Sequence, residues 1–447
     1  MNASAAPSAP PAISVIIPTY NRLDSARRTL DSLKQQTFDP RQFEVIVVSD
    51  GSRDGTVEAL QSYAAPYTLR VIDQPNQGPS TARNHGAQQA AGRWLVFLDD
   101  DIGAAEGLIA AHAAAQQVQE QRVVIGYLPP MLGAQRGYFR AELRAWWEMM
   151  FDPLRKPAHR FRYSNLLTGN FSLPAALFQQ LGGFNTTLWC HEDYEFGWRL
   201  IKAGANFTYA EAACGDHYEN TDLDRSLRRK FQEGRADIQI AALHPELLPG
   251  LPLVFLASAE ANAEATRRVR WLRRLAFAQP ALGDALARYY RRTMDYWDAT
   301  QRYWPWRTLL YDLLDYWYWR GVAKSLGSRQ ALAETLQRVV QPRGETPLEL
   351  DLRAGLALAE QRLDAEHPQS MILRYGAALI GEFKTQPGEE RLRGAHLRGI
   401  LATDFCYRFM LALAGSQQPA QDAETADPLL KKFFFEAMGK PIPTEIL

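Results

Sequence analysis

Three consecutive carboxylates, Asp99 to Asp101, directly follow the apolar run 94–98. A short apolar run of this kind predicts a buried strand, which places the acids at its carboxyl end. Adjacent like charges repel, so a fold keeps them together where a cation compensates them. Carboxylate oxygens suit Mg²⁺ or Mn²⁺, and α/β proteins bind ligands at the carboxyl edge of a parallel sheet. The other interpretation is a solvated acidic turn that caps the next helix, and the triplet alone does not decide between the two.

Strand-like and helix-like segments alternate through the first hundred residues. The predicted strands are 13–17, 43–48, 69–72 and 94–98, and the predicted helices between them are 25–36, the segment after Asp54, and 81–91. Such alternation with short connections predicts a parallel, doubly wound sheet. Residues 18–22, Asp50 and Asp99–Asp101 would then meet at one edge, because all of them follow strands.

Composition sets the broad class of the protein. The 447 residues suggest about three domains, and equal numbers of basic and acidic residues, 50 each, argue against nucleic acid as a partner. Three scattered cysteines give neither a disulfide framework nor a zinc knuckle, which fits a reducing compartment. The first twelve residues predict a disordered tail and not a signal peptide. We therefore expect a cytoplasmic protein, with any membrane contact peripheral at the inner face of the plasma membrane.

Six short motifs occur in a fixed order along the first half of the chain. They are Val15–Arg22, Val47–Thr56, Asn76–Asn84, Phe97–Asp101, Gly182–Phe184 and His191–Leu200. In order and spacing this set resembles the family 2 glycosyltransferases, across roughly residues 13–235. The resemblance implies a GT-A fold, which is a Rossmann-like α/β domain that binds a nucleotide-diphosphate sugar.

The resemblance also implies a donor site. Its nucleotide-sugar-binding residues would be Pro18, Thr19, Tyr20, Arg22, Asp50, Arg83, Asp99 and Asp100. Asp50 would accept hydrogen bonds from the base, although Ser49 stands where the family usually has an acidic residue. Arg83 would reach the donor phosphates as a fixed charge; the alternative is an ordinary arginine on a surface helix.

A metal site and a base are implied by two further motifs. Asp99 and Asp101 form the family's D-x-D pattern, and His217 lies where several members place a metal-binding histidine, so a divalent metal, Mn²⁺ or Mg²⁺, is the expected cofactor. A lone histidine is otherwise structural or exposed. Asp193 would be the catalytic base.

The residues around that base would receive the acceptor. The acceptor-binding residues would be Gly169, Asn170, Trp189 and Glu192. For Glu192 and Asp193 the competing interpretation is a pair of acids that the dipole favours at a helix N-terminus. Trp189 is equally compatible with a place in the core.

The rest of the chain resembles no family that we recognise. We predict an aromatic-rich helical region over 236–340, a linker near 341–347, helices over 341–447 that include 372–383, and a mobile stretch over 415–428. The aromatic region is interpreted as a helical core, as a rim that docks on a membrane, or as a surface for a protein partner or self-association. The sequence does not choose among these.

The function implied is a metal-dependent, inverting glycosyltransferase. Its donor would be UDP-linked rather than GDP- or dTDP-linked, and its acceptor a hydroxyl of a glycan, a lipid-linked or a protein-linked saccharide, as in polysaccharide biosynthesis. Residues 232–236 resemble the Gln-x-x-Arg-Trp of processive synthases, but Ala236 replaces the tryptophan, so we expect a non-processive enzyme. The alternatives are a non-catalytic, glycosyltransferase-like binding or scaffold protein and a nucleotidyltransferase. The latter would require a glycine-rich basic loop after the first strand, and residues 18–22 do not provide one.

Overall fold

The computed structural model describes residues 10–118, 121–131, 137–156, 159–188, 190–339 and 345–415. These residues form two compact units. The first contains the chain up to Asp152 and then continues from Arg162 to residue 339. The second combines Pro153–Phe161 with the C-terminal part of the chain.

An eight-stranded sheet is the centre of the first unit. Its strands are β1 (Ile13–Thr19), β2 (Phe43–Ser49), β3 (Thr68–Asp73), β4 (Trp94–Leu98), β5 (Ile102–Ala104), β6 (Arg122–Tyr127), β7 (Asn170–Pro174) and β8 (Asn206–His217). Their spatial order is β3-β2-β1-β4-β7-β6-β8-β5. The first four strands are parallel, as the sequence predicts. The sheet as a whole is mixed, because β7 is antiparallel to both β4 and β6, and β5 is antiparallel to β8.

Helices cover this sheet and position the ends of its strands. They are α1 (Leu23–Leu33), α2 (Thr56–Gln61), α3 (Pro79–Gln88), α4 (Leu108–Gln116), α5 (Tyr138–Phe151), α6 (Ala175–Gln180) and α7 (Glu192–Lys202), with short 3₁₀ turns at Pro40–Gln42 and Tyr163–Asn165. A further 3₁₀ turn, Asp152–Arg155, follows α5 where the chain passes from the first unit to the second. Helix α1 buries Ala26, Leu30 and Leu33, which share one face at helical spacing. Strands β1, β2 and β4 are almost entirely buried, so their carboxyl ends are held rigidly. The predicted α/β fold is confirmed.

The aromatic region continues the same unit as a bundle of helices. They are α8 (Leu223–Leu243), α9 (Pro252–Ala257), α10 (Ala259–Glu264), α11 (Arg267–Ala278), α12 (Pro280–Ala299), α13 (Tyr303–Leu326) and α14 (Arg329–Gln337), with a 3₁₀ turn at Pro245–Gly250. Helix α8 runs through the predicted boundary at 235/236, so that boundary does not separate two compact units. A methyl group at Gly234 would lie 2.1 Å from the carbonyl oxygen of Tyr318, and one at Gly321 would lie 2.1 Å from that of Phe231. Glycine is therefore required where α8 crosses α13.

The aromatic side chains of this bundle divide into two groups. Trp306, Tyr316, Tyr318 and Trp319 are buried in the helical core, as the core interpretation predicts. Tyr289, Tyr296 and Trp304 are exposed. The membrane and partner interpretations of the exposed side chains stay predictions. Within the described residues, no helix combines the length and the apolar composition needed to cross a lipid bilayer.

The second unit is a small α/β unit of its own. Three strands, β9 (Leu348–Asp351), β10 (Ser370–Tyr375) and β11 (Ala378–Lys384), pack with helices α15 (Leu356–Glu366), α16 (Gly394–Thr403) and α17 (Cys406–Gly415), and a 3₁₀ turn covers Leu352–Ala354. The predicted helix over 372–383 is wrong: β10 and β11 pair antiparallel there, and a left-handed glycine, Gly376, lies between them. The mainly helical character of the C-terminal half is otherwise confirmed. Phe161 also belongs to this unit, because its backbone exchanges two hydrogen bonds with Glu390.

Several predictions lie wholly or partly outside the described residues. These are the tail over residues 1–9, Trp189, most of the linker near 341–347, and the stretch after residue 415. Ala12, at the end of the predicted tail, already hydrogen-bonds to Gln42 and Trp94. The structured region therefore begins slightly earlier than the sequence suggests.

Candidate active site

One cavity of about 590 Å³ lies at the carboxyl edge of the parallel strands. The sequence-predicted residues that line it are Pro18, Thr19, Tyr20, Arg22, Asp50, Arg83, Asp99, Asp100, Asp101, Gly169, Asp193 and His217. Strands β1, β2 and β4 are parallel neighbours, so the residues that follow them must meet at this edge. The fold thus brings together the predicted donor, metal and base positions.

Asp100 is the buried anchor of the acidic triplet. Its carboxylate accepts hydrogen bonds from the Thr19 hydroxyl at 2.7 Å and from Arg22 Nη1 at 2.9 Å. The same Arg22 nitrogen lies 3.0 Å from Asp101 Oδ2. Burial raises the pKa of Asp100 to about 6, against the opposing charge of Arg22. Arg22 therefore compensates part of the like-charge repulsion, and the triplet is not a solvated turn.

Asp101 and His217 both line the cavity, and their side chains lie close together. Strand β8 pairs with β5 so that His217 lies opposite Ile102, directly after the triplet. The His217 Nε2 atom is 3.6 Å from Asp101 Oδ1, and that buried oxygen accepts no hydrogen bond. Burial and the charge of Asp99 raise the pKa of Asp101, while His217 and Arg22 oppose the shift. A buried carboxylate oxygen that accepts no hydrogen bond, beside an imidazole nitrogen, is a pair of atoms that can coordinate a divalent metal ion.

The protein side chains at this site can hold a metal ion only if a bound substrate supplies some of the coordinating atoms. Among the described residues, no cluster of three or more His, Cys, Asp or Glu side chains has the arrangement of a metal centre. Asp99 is instead engaged by Arg83, whose Nη2 lies 2.7 Å from Asp99 Oδ1. Asp101 and His217 therefore fit an ion whose other ligands come from a diphosphate and water.

Arg83 is not an ordinary surface arginine. Its side chain is almost completely buried, and it bridges Asp99 to Glu192, whose Oε1 accepts from Nη1 at 3.1 Å. Burial disfavours the charge, but Asp99 and Glu192 raise the pKa of Arg83 above its usual value. This permanent cation connects the triplet at the end of β4 to the first residue of α7. It therefore fixes the distance between the predicted metal and base positions.

Asp50 lines the cavity and organises the loop before α3. Its Oδ1 accepts from Gln74 Nε2 at 2.8 Å and from the Gln77 amide at 2.9 Å, and its Oδ2 accepts from the Gly78 amide at 2.8 Å. The carboxylate thus shapes the turn that leads into α3. Its predicted contact with a nucleobase stays a prediction, since only its remaining acceptor capacity is free for a ligand.

Asp193 lines the cavity and has a pKa above the usual range for aspartate. It lies in the first turn of α7, and its Oδ1 accepts a hydrogen bond from the Tyr194 amide at 2.9 Å. Burial and then the charge of Glu192 raise the pKa of Asp193 to about 6, against the opposing charges of His191 and Arg229. A helix N-terminus alone would favour the ionised form and lower the pKa. The pKa of Asp193 therefore lies close to neutral pH, which favours general-base catalysis.

The sequence of this region matches known protein families. Residues 14–182 match the model of glycosyl transferase family 2, and residues 150–221 match that of the N-terminal domain of galactosyltransferase. Residues 14–182 form a family 2 glycosyltransferase domain.

Individual proteins resemble the chain over similar lengths. A validoxylamine A glucosyltransferase from Streptomyces hygroscopicus subsp. limoneus is 35% identical over 275 residues, which are 54% of this chain and 58% of the relative. Glycosyltransferase AglE from Haloferax volcanii is 27% identical over 52% of this chain and 74% of its own length. The chain thus spans little more than half the length of the validoxylamine A enzyme. A mannosyltransferase from Pyrobaculum calidifontis, solved with GDP-Man and Mn²⁺, superposes with a TM-score of 0.47 at 19% identity over 72% of this chain and 88% of its own.

Two helices of the bundle, α8 and α13, hold the start of α7 in place. His191 caps α7 in the left-handed conformation, with a φ of 59°, and stacks on Tyr194. Its Nδ1 is 3.0 Å from Asp237 of α8, which also accepts from the hydroxyl of Tyr318 of α13 at 2.6 Å. Burial opposes protonation of His191, but the hydrogen bond and charge of Asp237 raise its pKa. A residue held in this uncommon conformation needs such support.

Several residues that line this cavity were not predicted from the sequence. They are Asn76, Gly78, Pro79, Ile102, Leu128, Trp147, Leu167, Thr168, Glu219, Asn220, Thr221, Arg225 and Arg229. Arg225 and Arg229 had a signal, since residues four apart share a helix face, and α8 begins at Leu223. Trp147 had none, because only the fold shows that its ring lies 4.9 Å from that of His217.

The predicted acceptor-binding residues have different surroundings. Asn170 is buried, and its side chain bonds His112 and the carbonyl of Ala213; its role toward an acceptor stays a prediction. Gly169 lines the cavity beside Asp99, where a methyl group would come within 3.2 Å of Asp99 Oδ2. Glu192 contacts Arg83, and its role toward an acceptor stays a prediction.

Proposed function

We propose that the protein transfers a sugar from a nucleotide-diphosphate donor, UDP-linked, to a hydroxyl of a saccharide acceptor, with inversion at the anomeric carbon. The acceptor oxygen forms a bond to that carbon while the bond to the diphosphate oxygen breaks. The leaving nucleoside diphosphate takes the electron pair, and the hydroxyl proton passes to the carboxylate of Asp193. The supporting observation is that Asp193 and the acidic triplet line the same cavity.

The cations around the cavity suit a diphosphate. Arg22 is fixed by Asp100 and Asp101, and Arg83 by Asp99 and Glu192. Arg225 and Arg229 line the same cavity from α8. Guanidinium groups near the reacting centre stabilise the charge of a departing phosphate. Because Arg22 and Arg83 are already paired with carboxylates, we assign phosphate binding to Arg225 and Arg229, and positioning of the carboxylates to Arg22 and Arg83.

A divalent ion, Mn²⁺ or Mg²⁺, is part of the proposal. Asp101 and His217 would hold it, because an unpartnered buried carboxylate oxygen faces the imidazole there. When bound, the ion neutralises charge on the diphosphate. Asp99 lies beside this pair and is kept in place by Arg83. An uncompensated acidic rim would otherwise repel the donor.

The relatives support the reaction class. Two of them carry the names validoxylamine A glucosyltransferase and glycosyltransferase AglE. The metal dependence, the inversion and the single, non-processive transfer are our proposals, as are the donor base, the acceptor, and the location in the cytoplasm.

The first test is a thermal-shift screen of the purified protein. UDP-, GDP- and dTDP-sugars are added with and without Mn²⁺, because a ligand that binds only the folded state raises the melting temperature by mass action. We expect a UDP-sugar to give the largest shift and Mn²⁺ to increase it. Release of UDP in the presence of saccharide acceptors then measures turnover. No shift with any nucleotide sugar would contradict the proposal.

The pH dependence of turnover is a second test. The basic form of Asp193 is required, so kcat/KM should rise with pH through about 6, the pKa of this carboxyl, and level off above it. Since the charge of Glu192 contributes to the raised pKa, Glu192→Gln should move the rise to lower pH. A rise centred near 4, the ordinary range for aspartate, or an unmoved profile in Glu192→Gln, would argue against Asp193 as the base.

A further inference from the structure

A second cavity, of about 600 Å³, adjoins the first. Its walls come from α5, α8, α9, α11 and α13, most of which lie outside the residues that match the family models. Four residues line both cavities: Trp147, Glu219, Thr221 and Arg229. The two cavities are therefore neighbours that share one wall, which includes Arg229, whose charge acts on Asp193.

Trp147 is central to the shared wall, because it contacts two neighbouring side chains, His217 and Glu219. Its ring packs edge-on against His217 at 4.9 Å, and its Nε1 donates to Glu219 Oε2 at 3.3 Å. Trp146, the next ring, contacts Trp147 at 5.1 Å and lines only the second cavity. A molecule whose hydroxyl lay at Asp193 would extend past Trp147 into this space.

The second cavity has a largely apolar and aromatic surface. The side chains that give it this character are Phe139, Leu143, Trp146, Phe255, Leu256, Val269, Leu310 and Leu314. Two of them stay accessible to solvent, since Phe255 is 67% exposed and Trp146 is 37% exposed. Large apolar side chains kept accessible beside a reactive site are typical of ligand-binding surfaces. A volume of this size accommodates a ligand of drug-like dimensions.

The cations in the second cavity already have carboxylate partners. Lys230 lies 2.6 Å from Glu233, which is also 3.4 Å from Arg229. Arg273 makes two contacts with Asp315, of 2.8 Å and 2.5 Å. At Arg273 a phosphate group would have to displace Asp315 from a largely buried ion pair, and breaking such a pair on one side is costly. Because these cations are already paired with carboxylates, the second cavity favours an uncharged ligand.

We propose that the second cavity binds the uncharged, apolar or aromatic aglycone of the acceptor glycoside, while the sugar hydroxyl that reacts lies at Asp193. This inference rests on the proposed function and narrows its acceptor from any saccharide to this chemical class. Trp146 and Phe255 supply the contacts to the aglycone. Neither residue contacts the donor, since neither lines the first cavity.

The experiment compares matched acceptors with the full-length protein and the nucleotide sugar that gives the largest thermal shift. A panel of p-nitrophenyl hexosides is measured against the methyl hexosides of the same sugars and against a polyprenyl-phosphate-linked sugar. We expect KM to be at least about tenfold lower for the p-nitrophenyl member of a pair. Phe255→Ala and Trp146→Ala should each abolish most of this difference, with kcat and the donor Kd unchanged.

Trp304→Ala is the matched control, because Trp304 is 71% exposed and lines neither cavity. It should retain the preference for the aryl glycoside. Equal KM values for aryl and methyl glycosides, an unaltered preference in both cavity variants, or transfer only to the polyprenyl-phosphate-linked sugar would overturn the inference. Each of those results still includes sugar transfer and thus leaves the proposed function standing. Failure to release nucleoside diphosphate with every acceptor would instead count against the proposed function itself.

Discussion

Replacing Asp193 with asparagine is expected to lower turnover by about 10²- to 10⁴-fold, the usual contribution of a general base. The amide keeps the size of the side chain and can still accept from the Tyr194 amide, but it cannot take the acceptor proton. Binding of the donor should be nearly unchanged, because Arg22, Arg83 and the acidic triplet are untouched. Turnover is measured as UDP release, and donor binding by calorimetric titration.

Asp216→Asn makes the same chemical change outside the cavity and controls for the loss of a carboxylate. Asp216 precedes His217 on β8 and lines neither cavity; alternate residues of a strand point to opposite faces. This variant should keep the turnover of the unaltered protein. Undiminished turnover in Asp193→Asn would remove this residue as the base.

Replacing Asp101 with alanine is expected to remove the effect of Mn²⁺ on donor binding. The substitution deletes the buried oxygen that faces His217 without a donor, so the ion would lose a carboxylate ligand. We expect the donor Kd in Mn²⁺ to rise by at least about tenfold, whereas the Kd without metal should change little. Calorimetric titration of UDP with and without Mn²⁺ measures both values.

His217→Ala provides an independent check of the same site. It removes the nitrogen partner and leaves the triplet, with its contacts to Arg22 and Thr19, in place. Both variants should therefore lose the same Mn²⁺ effect, while Asp216→Ala, one carboxylate fewer on the same strand, should keep it. If Asp101→Ala retains the full Mn²⁺ effect, the ion is bound elsewhere.

The first four strands and their helices could be predicted because their signals are local. An apolar run such as 94–98 must be buried, and helices such as α1 repeat apolar residues at a spacing that only one face can satisfy. The mixed order of the remaining strands could not be predicted, since β7 pairs with β4 across about seventy residues of intervening chain. The error over 372–383 has a similar cause: short apolar runs fit a strand or a helix, and the partner strand decides.

The sequence by itself predicted the acidic triplet, the candidate base and the resemblance to family 2 glycosyltransferases, because those depend on residue types in a fixed order near strand ends. Only the tertiary structure decided how they work together. It showed that Arg83 links Asp99 to Glu192, that Asp237 and Tyr318 hold His191, and that Trp147 separates two cavities. The physical reason is that burial and charge compensation depend on residues far apart in the chain, such as α8 and α13, whose contacts no local pattern encodes.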